Sequence, residues 1–184
     1  MPLPGHICYS VYMKSMEKYP KRKPNRLSRY DYSTPGAYCI TICAHERKRL
    51  FSQILFDAVG DGLARPVVKC TNLGHIVEQQ IAAIPKRFPT VLVDTYVIMP
   101  NHIHLLLRLQ EDAGRASPSP TVGAVIGALK SLSTRAARPY LNGKPLFQRS
   151  FYDHVVRNEK DYTECWLYID SNPARWAQDE LYTE

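Results

Sequence analysis

An α+β domain on an antiparallel sheet is the fold this sequence predicts, and three observations predict it. Two strand-like runs, residues 91 to 98 and 102 to 109, are joined only by Met99-Pro100-Asn101, so they lie side by side and antiparallel. Helical apolar spacing occurs on both sides of this pair, at residues 71 to 84 and from Val122 onward. The 184 residues are 45% hydrophobic and 22% charged, a balance that lets one domain bury a core without cross-links.

In chain order, residues 1 to 33 read as a basic extension and residues 34 to 184 as the single domain. Arg22, Lys23, Arg26 and Arg29 lie in the extension near Pro20 and Pro24, whose spacing disfavours a long helix. Such an arm is either a solvated tail or a segment that follows phosphates. Ala37 to Cys43 is rich in aromatic and β-branched residues and reads as a strand. His45 to Arg49 is a charged turn. Leu73, Ile76, Val77, Ile81 and Ile84 form the apolar stripe of a helix that Thr71 or Asn72 caps and Pro85 ends. The strand pair follows, then a polar loop at residues 110 to 120. Val122, Val125, Ile126, Leu129 and Leu132 give a second amphipathic helix, stopped by Pro139. Residues 147 to 157 read as a loop entering a short strand. Residues 159 to 171 read as a last helix, ended by Asn172-Pro173. This order suits a ferredoxin-like antiparallel sheet with helices packed on one face.

The net charge of +7 favours a polyanionic partner, nucleic acid before an anionic membrane. Lys130, Arg135 and Arg138 stand among hydroxyl residues on the polar side of the second amphipathic helix, a face that is either simply solvated or suited to a DNA backbone. The five cysteines are odd in number and widely spread, which argues against a disulfide scaffold and for a reducing cytoplasm. No apolar run reaches the length of a membrane span, and no signal peptide is expected.

His102 and His104 are the first candidates for chemistry. At i and i+2 of a strand they share one face, opposite Ile103, Leu105 and Leu107, and two adjacent imidazoles can hold one metal ion. The same pair also describes two polar residues on a sheet surface. Tyr168 and Asn172 are one helical turn apart, so a phenol and an amide oxygen share a face. Flanked by Leu167 and Ile169, Tyr168 alone reads as core. Taken together, two imidazoles and an amide oxygen suit Mg2+ or Mn2+ and leave positions open for a phosphate oxygen. Cys165 shares the face of Tyr168 and Asn172, so zinc on His102, His104 and Cys165 is an alternative; a lone cysteine is more often small packing.

Several ordered motifs then resemble a known family. Tyr96-Val97-Ile98-Met99-Pro100-Asn101-His102-Ile103-His104-Leu105-Leu106-Leu107 resembles the HUH strand pair of the single-tyrosine transposases. Phe147-Gln148-Arg149-Ser150-Phe151-Tyr152-Asp153-His154, continuing to Tyr168-Ile169-Asp170-Ser171-Asn172-Pro173, is similar to the later part of the REP-associated tyrosine transposases. Arg29-Tyr30-Asp31-Tyr32, Gly36 to Cys43 and Ile126-Gly127-Ala128-Leu129-Lys130-Ser131 extend the likeness over about residues 25 to 182.

The resemblance implies a ferredoxin-like domain that cuts and joins single-stranded DNA at palindromic, REP-like hairpins through a 5′-phosphotyrosine. His102 and His104 match the metal-binding histidines, Asn172 the third ligand and Tyr168 the nucleophile; Tyr152 and Tyr162 are rival tyrosines. It implies Mg2+ or Mn2+, no nucleotide cofactor, no membrane, and a place in the bacterial cytoplasm with the nucleoid. Monomer and homodimer both stay open. Two other readings are a non-catalytic hairpin-binding protein and a zinc-dependent hydrolytic nuclease.

Overall fold

A computed structural model describes residues 30–58, 64–111 and 120–182. Arg22, Lys23, Arg26 and Arg29 lie outside the described residues. Strands β1 (Gly36–Cys43), β4 (Val91–Ile98), β5 (His102–Leu109) and β6 (Tyr152–Val155) form one sheet in the order β4-β5-β1-β6. Every pairing in it is antiparallel. Taken in chain order, the second strand pairs with the third, the third with the first, and the first with the fourth, which is the ferredoxin-like arrangement.

Helices α1 (Asn72–Ala82) and α3 (Val122–Leu141) pack on one face of this sheet. Val77 and Ile81 of α1, with Val125, Ile126 and Leu129 of α3, join Tyr38, Ile40, Ile42, Ile103, Leu105 and Leu107 in one buried cluster. The period of two along β1 and β5 sends these residues to the same side. A short helix α2 (Ile84–Arg87) follows α1. The other face is covered too, by helix α4 (Glu159–Ser171) lying against β4 and β5. The physical reason is in β5, whose residues are all buried except Arg108, so both of its faces need cover. No helix among the described residues is long and apolar enough to cross a membrane.

Three local features differ from the sequence expectation. Residues 52–58 and 64–70 form an antiparallel ribbon, β2 (Ser52–Ala58) and β3 (Ala64–Cys70), where no strand is expected. Leu55, Phe56 and Val67 on it are exposed, so its sequence lacks the alternation that a half-buried strand leaves. Pro139 does not stop α3, which runs on to Leu141. Proline there forfeits only one bond in the last turn, and left-handed Asn142 (φ 46°) followed by Gly143 (φ 78°) ends the helix. Likewise Pro85 does not close α1 but sits in the first turn of α2, where its missing N–H costs nothing.

The start of α1 is tied to the Leu50–Phe51 segment just before β2, where Thr71 N–H donates to the Phe51 carbonyl at 2.9 Å. Thr71 caps the helix through Gly74 N–H and also donates its hydroxyl to the Leu50 carbonyl. A methyl on Gly74 would overlap the Phe51 carbonyl oxygen. Gly74→Ala is therefore expected to destabilise the fold by about 3 kcal/mol, as overpacking does where backbone is the obstacle. Urea denaturation measures it; a loss below ~1 kcal/mol would show that the contact relaxes freely.

Candidate active site

His102 and His104 sit side by side on β5, facing away from the main core and under α4. Both are buried, and their ring centroids are 4.5 Å apart. Each ring has one nitrogen held by a neighbour. His102 Nδ1 is 2.8 Å from Asn101 Oδ1, while Asn101 Nδ2 donates to the Leu181 carbonyl at 2.6 Å. With the amide oxygen turned to the ring, Nδ1 carries the proton and Nε2 keeps its lone pair. His104 Nδ1 is 2.9 Å from Thr41 Oγ1, its cross-strand partner on β1.

The Nε2 atoms face a common space. His102 Nε2 lies 3.9 Å from Asp179 Oδ2, and one ligand atom from each of His102, His104 and Asp179 falls within 4.8 Å of the others. Asn172, at the end of α4, donates Nδ2 to Asp179 Oδ2 at 3.2 Å. Its own Oδ1 is buried without a hydrogen-bond partner, and so is His102 Nε2. Leaving a buried polar atom unpaired costs about 1–3 kcal/mol, so two such atoms beside a carboxylate mark a place a cation would satisfy. The donor set of imidazole nitrogen with amide and carboxylate oxygen fits a divalent metal.

Electrostatics agree with that use. Burial, reinforced by Arg47, lowers His102 to about 3. Burial, then the neighbouring His102, pulls His104 well below its usual value against the opposing pull of Asp179. Both rings are thus neutral at neutral pH, the form that ligates metal, and His102–Asp179 is not an ion pair. The unfolded chain binds protons on His102 near 6.5, so the stability this histidine contributes is complete above that pH and is lost as pH falls toward 3. Metal-free protein is expected to lose roughly 1 kcal/mol per pH unit between pH 6 and 4 through His102 alone. Denaturant titrations of the wild type and His102→Gln measure it; equal slopes would rule it out.

Tyr168 completes the group. Its Oη is 3.2 Å from His104 Nε2, and the two rings meet edge to face at 4.9 Å. The side chain is half-buried, so a substrate can reach it. The rival tyrosines stand elsewhere. Tyr162 donates its hydroxyl to Asp94 Oδ2 at 2.9 Å, while Arg108 donates to the other oxygen, Oδ1, at the β4 irregularity between Val93 and Thr95. Tyr152 pairs with Thr41 across β1 and β6, two strands from His104.

The alternative of zinc on His102, His104 and Cys165 is corrected by the structure. Cys165 sits one turn before Tyr168 and clusters with His154 and Asp161 instead. The side chain that α4 presents to His104 is the phenol.

Behind the histidines, the segment after α4 forms a 3-10 turn (Asn172–Gln178). Trp176 lies 6.0 Å from His102, and Arg49 stacks on Trp176 and Tyr182. This segment delivers Asp179, which the sequence reading did not contain. Nothing local marks Asp179; only the path of the chain past Pro173 brings it to His102.

Of the basic residues on α3, Arg135 and Arg138 line a groove with Ser131, Thr134 and Arg149. Lys130 lines it as well, but its ammonium holds the carbonyls of Gln148, Arg149 and Ser150 at 2.6, 3.1 and 3.1 Å. It thus anchors the 148–150 loop, and burial lowers its pKa. The groove lies at the His102 end of the sheet, since Gln148 N–H donates to the carbonyl of Cys43 and Cys43 pairs with His102.

No protein-family model matches the chain. An uncharacterized protein of Haemophilus influenzae is 33% identical over 178 residues, covering 89% of this chain and 94% of that protein. A second protein of that organism, provisionally named a REP-associated tyrosine transposase, is 24% identical over 163 residues, covering 83% of this chain and 78% of its own length. Among solved structures, a REP-associated tyrosine transposase bound to a REP hairpin superposes with a TM-score of 0.57 at 20% identity, covering 82% of this chain and 73% of that one. That likeness shows the shared fold.

Proposed function

We propose that the chain is a REP-associated tyrosine transposase, like the relatives that share its sequence pattern and its fold, and that it nicks and rejoins single-stranded DNA beside palindromic hairpins through a 5′-phosphotyrosine on Tyr168. The observation that carries this reading is the Tyr168 hydroxyl 3.2 Å from His104 Nε2, within a buried cluster of His102, His104 and Asp179. A phenol with a pKa near 10 is a poor nucleophile in water, and a cation held by that cluster would lie beside this one and favour its ionised form.

His102, His104, Asp179 and the Asn172 amide oxygen would hold Mg2+ or Mn2+, which when bound polarises the phosphate and favours the phenolate. The residues do the rest. Asn101 and Thr41 fix the two rings, so that both Nε2 atoms point into one space. The Tyr168 hydroxyl gives its proton to solvent, its oxygen attacks phosphorus in line, the bond from phosphorus to O3′ breaks, and the departing 3′-oxygen takes up a proton from solvent. The 5′ end stays on the tyrosine. Attack by another 3′-hydroxyl reverses the step and joins a strand, so no ATP is consumed.

The solved relative is bound to a REP hairpin, which supports hairpin DNA as the partner here. Arg135, Arg138 and Arg149 line a groove at the same end of the sheet as His102 and are the proposed phosphate contacts. Each substitution to alanine is expected to reduce the slope of log affinity against log salt by about 1; unchanged slopes in all three would place the DNA elsewhere.

The test of the function is a labelled single-stranded oligonucleotide carrying a hairpin from the gene's own flanks, incubated with Mn2+ or Mg2+. A denaturation-resistant protein–DNA adduct that EDTA prevents is the expected result. Cleavage without an adduct would mean that water is the nucleophile. Tight hairpin binding without cleavage in either metal would mean a binding protein on this scaffold.

A further inference from the structure

A second cluster of ligating side chains lies on the α4 face of the sheet, near its β6 edge. His154 on β6 faces Asp161 on α4, with Nε2 at 2.9 and 3.0 Å from the two carboxylate oxygens. Cys165, one turn along α4, places its sulfur 3.9 Å from Asp161 Oδ1. Ligand atoms of His154, Asp161 and Cys165 all fall within 4.8 Å of one another. Cys39 on β1 is the cross-strand partner of His154, which sets its thiol on the same face beside Cys165, next to the three-residue group. Neither cysteine is in a disulfide. Three elements far apart in sequence thus bring two thiols, an imidazole and a carboxylate to one half-buried spot.

We propose that Cys39, His154, Asp161 and Cys165 form a structural zinc site that staples α4 to strands β1 and β6. Tetrahedral zinc with sulfur at about 2.3 Å and nitrogen at about 2.0 Å sets its donors about 3.3–3.8 Å apart. The His154–Asp161 and Asp161–Cys165 separations of 2.9 and 3.9 Å bracket that spacing, and the His154–Cys165 pair lies within 4.8 Å. Thiol donors select zinc over the magnesium or manganese that suits the neighbouring histidine pair. The neighbouring Cys39 thiol, with burial behind it, raises the Cys165 pKa, so metal uptake would release protons.

The site goes beyond the proposed chemistry and positions it. Cys165 is one turn from Tyr168, and Asp161 ties the start of α4 to the end of β6 through His154 Nε2 and the Arg157 N–H, from which it accepts at 2.9 Å. Fixing that half of the helix fixes where the phenol stands over His104. As a plain hydrogen-bonded network, the same residues would hold α4 without metal, and the test separates the two.

The test uses the full chain carrying His102→Ala and His104→Ala, so that the histidine pair binds nothing, titrated with Co2+ under reducing conditions. One equivalent is expected to give a sulfur-to-cobalt charge-transfer band with the intense visible bands of a tetrahedral ion, and Zn2+ to erase them. Adding Cys165→Ser should remove about half of the charge-transfer intensity, and adding Cys39→Ser as well should remove all of it. No thiolate band, or a band that survives both serines, overturns the proposal. If a serine variant fails to fold, maleimide labelling of the wild type decides: zinc should shield Cys39 and Cys165 at least 10-fold while Cys70 still reacts, and equal labelling with and without zinc overturns the site. None of these readouts uses DNA, so failure here leaves the nicking reaction standing, and the reverse also holds.

Discussion

Tyr168→Phe is expected to abolish the covalent adduct and lower cleavage by at least ~10⁴-fold, the scale on which removal of a nucleophile acts when the rest of a site is intact. The substitution deletes one oxygen and keeps the ring, so the edge-to-face contact with His104 at 4.9 Å persists. The fold should therefore be unchanged and hairpin affinity within two- to three-fold of the wild type. Tyr162→Phe is the informative control, since it lies on the same helix but donates to Asp94 rather than approaching the histidines. Tyr152→Phe is a second. An adduct that persists in Tyr168→Phe and disappears in either control would transfer the nucleophile to that tyrosine and sink the assignment.

His102→Ala carries the other large effect. The wild type should gain ~2.7 kcal/mol of stability from Mn2+ supplied at a hundred times its dissociation constant, by mass action on the folded state. His102→Ala should gain nothing and cleave no DNA, because the unpartnered Nε2 is the buried donor that the cluster is organised around. Asp179→Ala should be milder, weakening Mn2+ by roughly 10–100-fold, because two imidazoles and the Asn172 oxygen remain. Calorimetric titration and thermal melts with and without Mn2+ read both. A melting shift retained in His102→Ala would place the manganese away from this site.

Much of the scaffold was legible because its physics is local. The β4–β5 pair has the expected bounds, since a three-residue link leaves two apolar runs no arrangement other than adjacency. α1 and α3 announced themselves by apolar stripes, and Thr71 caps its helix as the sequence suggests. The β2–β3 ribbon was illegible for the converse reason: with Leu55 and Phe56 facing solvent, burial imprints no period on it. The site divides in the same way. Two histidines at i and i+2 share a face by strand geometry alone, and Tyr168 and Asn172 lie one turn apart on a helix. Asp179, Thr41 and the Cys39–His154 pairing depend on register or on the path of distant segments, which no window of sequence contains. The pull of the shared helix face toward a His-His-Cys set failed for that reason. It counted which residues of α4 lie on one side, but not which strand each of them would meet.

The segment after Pro173 has a consequence for how a gene of this kind would decay. Asp179, Trp176 and the Leu181 carbonyl that orients Asn101 are the last pieces of the site to be translated. Of these residues, none belongs to the core that α1 and α3 build on the sheet. A nonsense codon just beyond Pro173 would therefore spare the architecture and the tyrosine while removing what aligns the histidines. Chemistry would be silenced before folding, and under the proposed function the product would keep the groove that meets hairpin DNA and compete there with intact copies.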